Sequence, residues 1–152
     1  VPAYKETRIV PYSADFMFAI AADVERYPEF VPWCTALRVL SRDREGGKDV
    51  LTAETVVGFR NLRERYTSRV VLDPKAHTID VTQIEGVFRH METHWRFTPD
   101  GANRCELAFA ISFEFRSRVL STIAGNAFGL VVRRMAQAFE ARAKALSDKS
   151  AQ

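Results

Sequence analysis

The chain has little cysteine and no long apolar run. Cys34 and Cys105 stand far apart and form no CxxC pair. That argues against a disulfide framework or a cysteine-held metal, and leaves two free thiols in a reducing compartment as the expectation. No stretch approaches the ~20 consecutive apolar residues that a membrane-spanning helix requires. The opening residues VPAYKETRIV lack a basic segment followed by an apolar one, so no secretory signal is expected. A G-x-S-x-G elbow, a Walker loop and a dinucleotide fingerprint are all missing. No internal repeat, low-complexity segment or linker interrupts the middle of the chain. Together these absences point to one cytoplasmic domain over residues 1–146, with 147–152 (SDKSAQ) as a disordered tail.

What is present fits that frame. The 152 residues are 47% apolar and 27% charged, enough to bury a real core in an ordinary globular protein. The net charge is +3, and 17 of the 22 basic residues are Arg. Arg grips phosphate with two parallel hydrogen bonds, which makes anionic lipid or RNA a partner class to consider. A charge this small is also what unremarkable composition produces.

Seven strands are predicted, near residues 4–11, 36–43, 50–59, 63–72, 77–84, 89–98 and 104–115. Glu45-Gly46-Gly47-Lys48, Asp73-Pro74-Lys75 and residues 99–103 supply turns between them. Connections this short imply an antiparallel meander. In the last strand Cys105, Leu107, Phe109, Ile111, Phe113 and Phe115 share one face at period two. From about Ser117 to Leu146 the period becomes helical, with a stripe from Leu120 through Ile123, Ala124, Ala127, Phe128, Val131, Met135 and Phe139 to Leu146. One long helix against one curved antiparallel sheet makes a two-layer α+β sandwich.

The densest information lies between Tyr12 and Cys34 (YSADFMFAIAADVERYPEFVPWC). Ser13 is a good N-cap and Asp15 places a negative charge in the first helical turn. Phe16, Ala19, Ile20 and Val24 recur at helical spacing and predict the buried face. Asp23 is suited to cap a further turn that Pro28 interrupts, and Pro32 stops the chain again. Glu54 and Glu64 are predicted to face one another across neighbouring strands as a solvated pair near Arg63 and Arg65.

The run from Tyr12 to Cys34 resembles the opening signature of the START-like family that includes coenzyme Q-binding proteins, ribosome-association toxins and polyketide cyclase/dehydrase-like proteins. EGVFRHMETHWRFTP (Glu85–Pro99) and the stretch Phe113–Leu146 match as well; Val87 departs from the Pro more usual there. The resemblance implies a helix-grip fold of the START/Bet v 1-like kind, about seven strands wrapped on a long C-terminal helix. It implies an apolar cavity between sheet and helix that takes a prenylated quinone such as ubiquinone, with no cofactor beyond that ligand. The alternatives it implies are a translation inhibitor bound to the large ribosomal subunit, and a cyclase-like enzyme.

Several residues are expected to line or gate such a cavity. They are Phe30, Val31 and Trp33 from the aromatic cluster, Tyr66, Ser68 and Val70, Val81, Phe88, Thr93 and Trp95, and Phe109. Ile123, Gly125 and Phe128 join them from the uncharged segment Val119–Val132. Tyr66, Trp33, Thr93 and Ser68 are the candidate head-group contacts. Arg116, Arg118, Arg133 and Arg134 flank the uncharged segment and suit transient docking on anionic lipid at the inner face of the cytoplasmic membrane. A monomer is expected.

No catalytic residue and no metal ligand is predicted. His90, Glu92 and His94 share a strand face with Arg96, which marks a solvated surface rather than a metal site. Arg60, Arg63, Arg65 and Arg69 form the densest basic patch, without the interleaved aromatics that RNA stacking uses.

Overall fold

The computed structural model describes residues 3–59, 61–125 and 128–150, with the side chains of 59, 123–125, 128, 129, 131 and 150 left out of the description. Seven strands form one antiparallel sheet: β1 (Ala3–Val10), β2 (Cys34–Glu45), β3 (Lys48–Phe59), β4 (Leu62–Asp73), β5 (Thr78–Gly86), β6 (Phe88–Pro99) and β7 (Cys105–Phe115). The order across the sheet is β1-β7-β6-β5-β4-β3-β2. Chain neighbours from β2 to β7 therefore pair as a meander, and β1 returns to close against β7.

The turns follow from local chemistry. Gly46 and Gly47 take φ of 57° and 83°, the left-handed conformation that a tight two-residue hairpin needs and glycine supplies without steric cost. Asp73 accepts from the backbone N–H of Lys75 (3.1 Å) and Ala76 (3.2 Å), so the β4–β5 turn is held by its first side chain.

Since β1 and β2 are opposite edges, the chain between them must cross the sheet. It does so as helix α1 (Ala14–Ala22) and a 3-10 helix over Val24–Glu29. Ser13 caps α1, its hydroxyl accepting from Phe16 N–H at 3.1 Å. The buried residues of α1 are Ala14, Met17, Ile20 and Ala21. Ala19 is exposed and Phe16 only half-buried, so the helix is turned from the face that the apolar spacing suggests. Small Ala14 and Ala21 let Met17 sit fully buried between them. Asp23 makes no side-chain cap bond; its carboxylate instead lies 3.4 Å from Arg26. Pro28 is accommodated inside the 3-10 helix rather than ending it.

Two helical segments follow β7: α2 (Arg118–Gly125) and α3 (Phe128–Ser150). α3 runs past Leu146, so residues 147–150 are helical where the sequence suggests a disordered tail. The sheet-facing residues of α3 include Val132, Ala136, Phe139 and Ala143, all at most 1% exposed. Two of the four are alanines, which brings the helix axis close to the strands. Phe139 fills the space between them, its ring 4.5 Å from Trp95 and 5.4 Å from Tyr27.

Helix and sheet are also tied by charge. Arg8 on β1 bonds Glu140 on α3 at 2.9 Å and Glu6 at 2.6 Å. Arg142 on α3 bonds Glu29 of the 3-10 helix at 3.0 Å and lies 5.1 Å from the Phe30 ring centre. Arg42 on β2 pairs with Glu25.

Candidate functional site

The sheet is solid at one end and hollow at the other. At the β6–β7 turn end, Phe97, Cys105 and Leu107 are fully buried. Toward the opposite ends of the same strands, Phe88, Met91, Phe113 and Phe115 face a cavity of about 270 Å³. β3, β4 and β5 supply further wall, the segment Val31–Cys34 and the 3-10 helix close one side, and Leu120, Val132 and Met135 from α2 and α3 close another.

Most of the expected site residues meet here. Val31 and Trp33 line the cavity, as do Tyr66, Ser68 and Val70 on β4 and Val81 on β5. Phe88, Thr93 and Trp95 on β6 and Phe109 on β7 complete that set. Phe30 does not join it. Its ring packs against Phe139 at 5.1 Å and Tyr27 at 5.8 Å under Arg142, so it anchors the 3-10 helix to α3. The side chains of Ile123, Gly125 and Phe128 lie outside the described residues. Arg116, Arg118, Arg133 and Arg134 are exposed, outside the cavity.

The connector is held in place by backbone geometry. Trp33 has φ +64°, a left-handed conformation that is a true outlier for a bulky residue. Its carbonyl accepts from Gly58 N–H on β3 at 2.9 Å. A Cβ on Gly58 would stand 3.0 Å from Thr35 Cγ2, so glycine there lets the start of β2 lie close against β3. At the other side, Gly86 has φ +148°, and a Cβ on it would fall 2.5 Å from Tyr66 Cβ. Gln83 bridges the same corner, donating to Phe88 O at 2.7 Å and accepting from Phe88 N–H at 3.0 Å. Together these contacts fix the Tyr66 ring, 5.3 Å from that of Phe88.

Polar groups are few and concentrated on neighbouring strands. Burial pushes the Tyr66 phenol up to about 12, with Thr55 opposite it on β3. The Cys34 thiol is pushed up by burial to about 11. Both stay neutral in the physiological range. Burial raises Tyr27 further, and its hydroxyl donates to the Ala21 carbonyl at the end of α1. Glu64, on the inward face of β4, is the one charged residue among the described lining. Strand alternation with Tyr66 and Val70 was the signal available for it; its charge argues for the outer face. Glu54 faces outward, with Arg38 at 3.6 Å and Arg65 at 4.0 Å. The two glutamates therefore sit on opposite sides of the sheet and form no pair.

The outer strand surface is a network of ions. His94 meets Asp80 at 2.6 Å and Glu92 at 3.6 Å, while His90 contacts Ser112 Oγ at 3.0 Å. Among the described residues no group of three or more His, Cys, Asp or Glu could hold a metal ion. No helix among them is long and apolar enough to cross a membrane.

A curved antiparallel sheet closed by helices around an apolar hollow with a few neutral donors defines a helix-grip protein. The chain belongs to the polyketide cyclase/dehydrase and lipid transport family, whose model matches residues 10–140. It is 34% identical over 145 residues to the ribosome association toxin RatA of Rickettsia prowazekii, covering 93% of this chain and 96% of that protein. It is 40% identical over 144 residues to the mitochondrial coenzyme Q-binding protein COQ10 homolog B of Xenopus laevis. That match covers 92% of this chain and 57% of the frog protein. The solution structure of an 18 kDa Caulobacter crescentus protein shares the fold at TM-score 0.80 and 34% identity, over 97% of this chain and 99% of that one.

Proposed function

We propose that the chain is a carrier or chaperone for a prenylated quinone such as ubiquinone, held in the cavity between sheet and helices, and that it supports respiratory electron transport without catalysing a reaction. The observation that carries this reading is the wall itself, apolar over most of its extent with neutral hydroxyls gathered on β3, β4 and β6. A quinone ring offers carbonyl acceptors. The Tyr66, Ser68 and Thr93 hydroxyls stand on the same wall, and each can donate to one of them. The relationship to a coenzyme Q-binding protein supports the same ligand class.

The volume limits what is enclosed. Pockets for drug-sized ligands run about 300–1,000 Å³, and about 270 Å³ suits a substituted ring with the first part of its tail. Each buried CH2 contributes about 0.8 kcal/mol relative to water. A tail drawn from a bilayer is already out of water, so head-group contacts and membrane docking must supply the net transfer energy.

Arg116, Arg118, Arg133 and Arg134 suit that docking. None of them has a carboxylate partner among the described residues, and Val119 (68% exposed) and Leu130 (41% exposed) stand beside them. On β2–β4, Arg38, Arg42, Arg44, Arg65 and Arg69 pair with carboxylates, while Arg63 has no carboxylate partner among the described residues.

The experiment uses the two tryptophans. Trp33 and Trp95 are the chain's only ones, and both line the cavity. A short-tail ubiquinone should quench their fluorescence saturably. Val70→Lys, which puts a charge into the wall, should abolish quenching while far-ultraviolet circular dichroism stays native. Equal quenching by both proteins would remove this cavity as the site.

The full-length match to a ribosome association toxin favours one second reading, a factor that binds the large ribosomal subunit. It predicts co-sedimentation with ribosomes that weakens steeply with salt. The carboxylate-paired arginines on the outer sheet face give that reading less support than the cavity gives the first.

A further inference from the structure

Glu64 is the one charged side chain among the described residues that line the cavity. It lies on the inward face of β4, opposite Val57 on β3, half-buried in a wall of Leu62, Tyr66 and Val70. Glu54, on the outer face, has Arg38 and Arg65 beside it. Glu64 has no ion pair or side-chain hydrogen bond among the described residues.

An ionised carboxylate accepts hydrogen bonds and donates none. A quinone ring also presents acceptors only, so a carbonyl turned toward Glu64 meets repulsion between lone pairs. A ring hydroxyl reverses this, because its O–H donates to the carboxylate in a charge-assisted bond, the stronger kind. Two residues along the same strand face, Tyr66 offers the complementary donor. The β4 face thus presents an acceptor and a donor side by side.

We infer that Glu64 sets the redox preference of the cavity, selecting the hydroxyl-bearing quinol form of the ligand over the quinone. The inference rests on the quinone-binding reading above and names which form of that ligand the site holds best.

The test is anaerobic equilibrium dialysis of the full chain against a short-tail ubiquinone and against the same molecule reduced to its quinol. Wild-type protein should bind the quinol about tenfold more tightly, the scale of one hydrogen bond to a charged group. Glu64→Gln, whose amide both donates and accepts, should bring the two affinities close to parity. Glu64→Asp, which keeps the charge, should retain the direction of preference. Thermal melts of both variants establish that they fold. Equal binding of the two forms by wild-type protein, or an undiminished preference in Glu64→Gln, overturns the inference and leaves quinone binding standing. Failure of folded wild-type protein to bind either form overturns both.

Discussion

Two of the protic groups in the cavity wall, the Cys34 thiol and the Tyr66 phenol, are held neutral by burial, and that makes them sensors of alkaline pH. Their ordinary values of 9.0 and 10.0 rise to about 11 and about 12 in the folded chain. A folded value above the unfolded one stabilises the fold fully below the unfolded value, and that contribution is lost as pH rises through the folded one. Stability from this source is therefore level up to about pH 9 and falls between there and pH 12. Urea midpoints measured from pH 7 to 11 should show the decline, and Tyr66→Phe should lessen it. A level midpoint for the native chain up to pH 11 would contradict the burial of these groups. At this scale the sequence was legible wherever alternation was unopposed, as for Tyr66, Ser68 and Val70. It failed at Glu64, where charge outweighed the alternation that places it inward. It failed also at Phe30, since the long-range contact with Phe139 and Arg142 leaves no mark in local pattern.

At the scale of elements, strands were more readable than helices. β7 follows period two from Cys105 to Phe115, and the Gly46-Gly47 hairpin follows from the conformations only glycine adopts freely. α1 turned its face, burying Met17 between two alanines while Phe16 stays half-buried, and nothing in the local spacing marks that choice. The sharpest test of element packing is the corner where β5 crosses Tyr66. Gly86→Ala places a Cβ 2.5 Å from Tyr66 Cβ at a φ of +148°, and should lower stability by about 1–3 kcal/mol while reducing quinone loading. Gly58→Ala has one tight contact, the flexible Thr35 methyl at 3.0 Å, beside ordinary contacts at 3.8 Å and 3.9 Å, and should cost less. Denaturant unfolding of both variants gives the comparison; equal losses would mean that the Gly86 corner is not the tight one.

For the whole molecule, the division into a solid half and a hollow half is what local sequence signals could not locate. The abundance of rings announces either a full core or a cavity, and only the packing of Phe97, Leu107 and Phe139 against the emptiness around Phe88 and Phe113 separates the two. The same division places α2 and the start of α3 over the hollow half, with arginines outside it that have no carboxylate partner among the described residues. Vesicles containing anionic lipid should therefore bind the chain, with each arginine near the surface contributing about 1 kcal/mol. Replacing Arg116, Arg118, Arg133 and Arg134 by Gln should release it, as should raised salt. Sedimentation that is indifferent to lipid charge and salt would place the docking surface elsewhere.

The central claim is that the hollow half carries a prenylated quinone, and organic extraction of the natively purified chain followed by mass spectrometry tests it most directly. A prenylquinone is expected at near-stoichiometric yield in the native chain, and is expected to be lost in Val70→Lys. A native chain that is empty, refuses added quinone and co-sediments with ribosomes at low salt would contradict it.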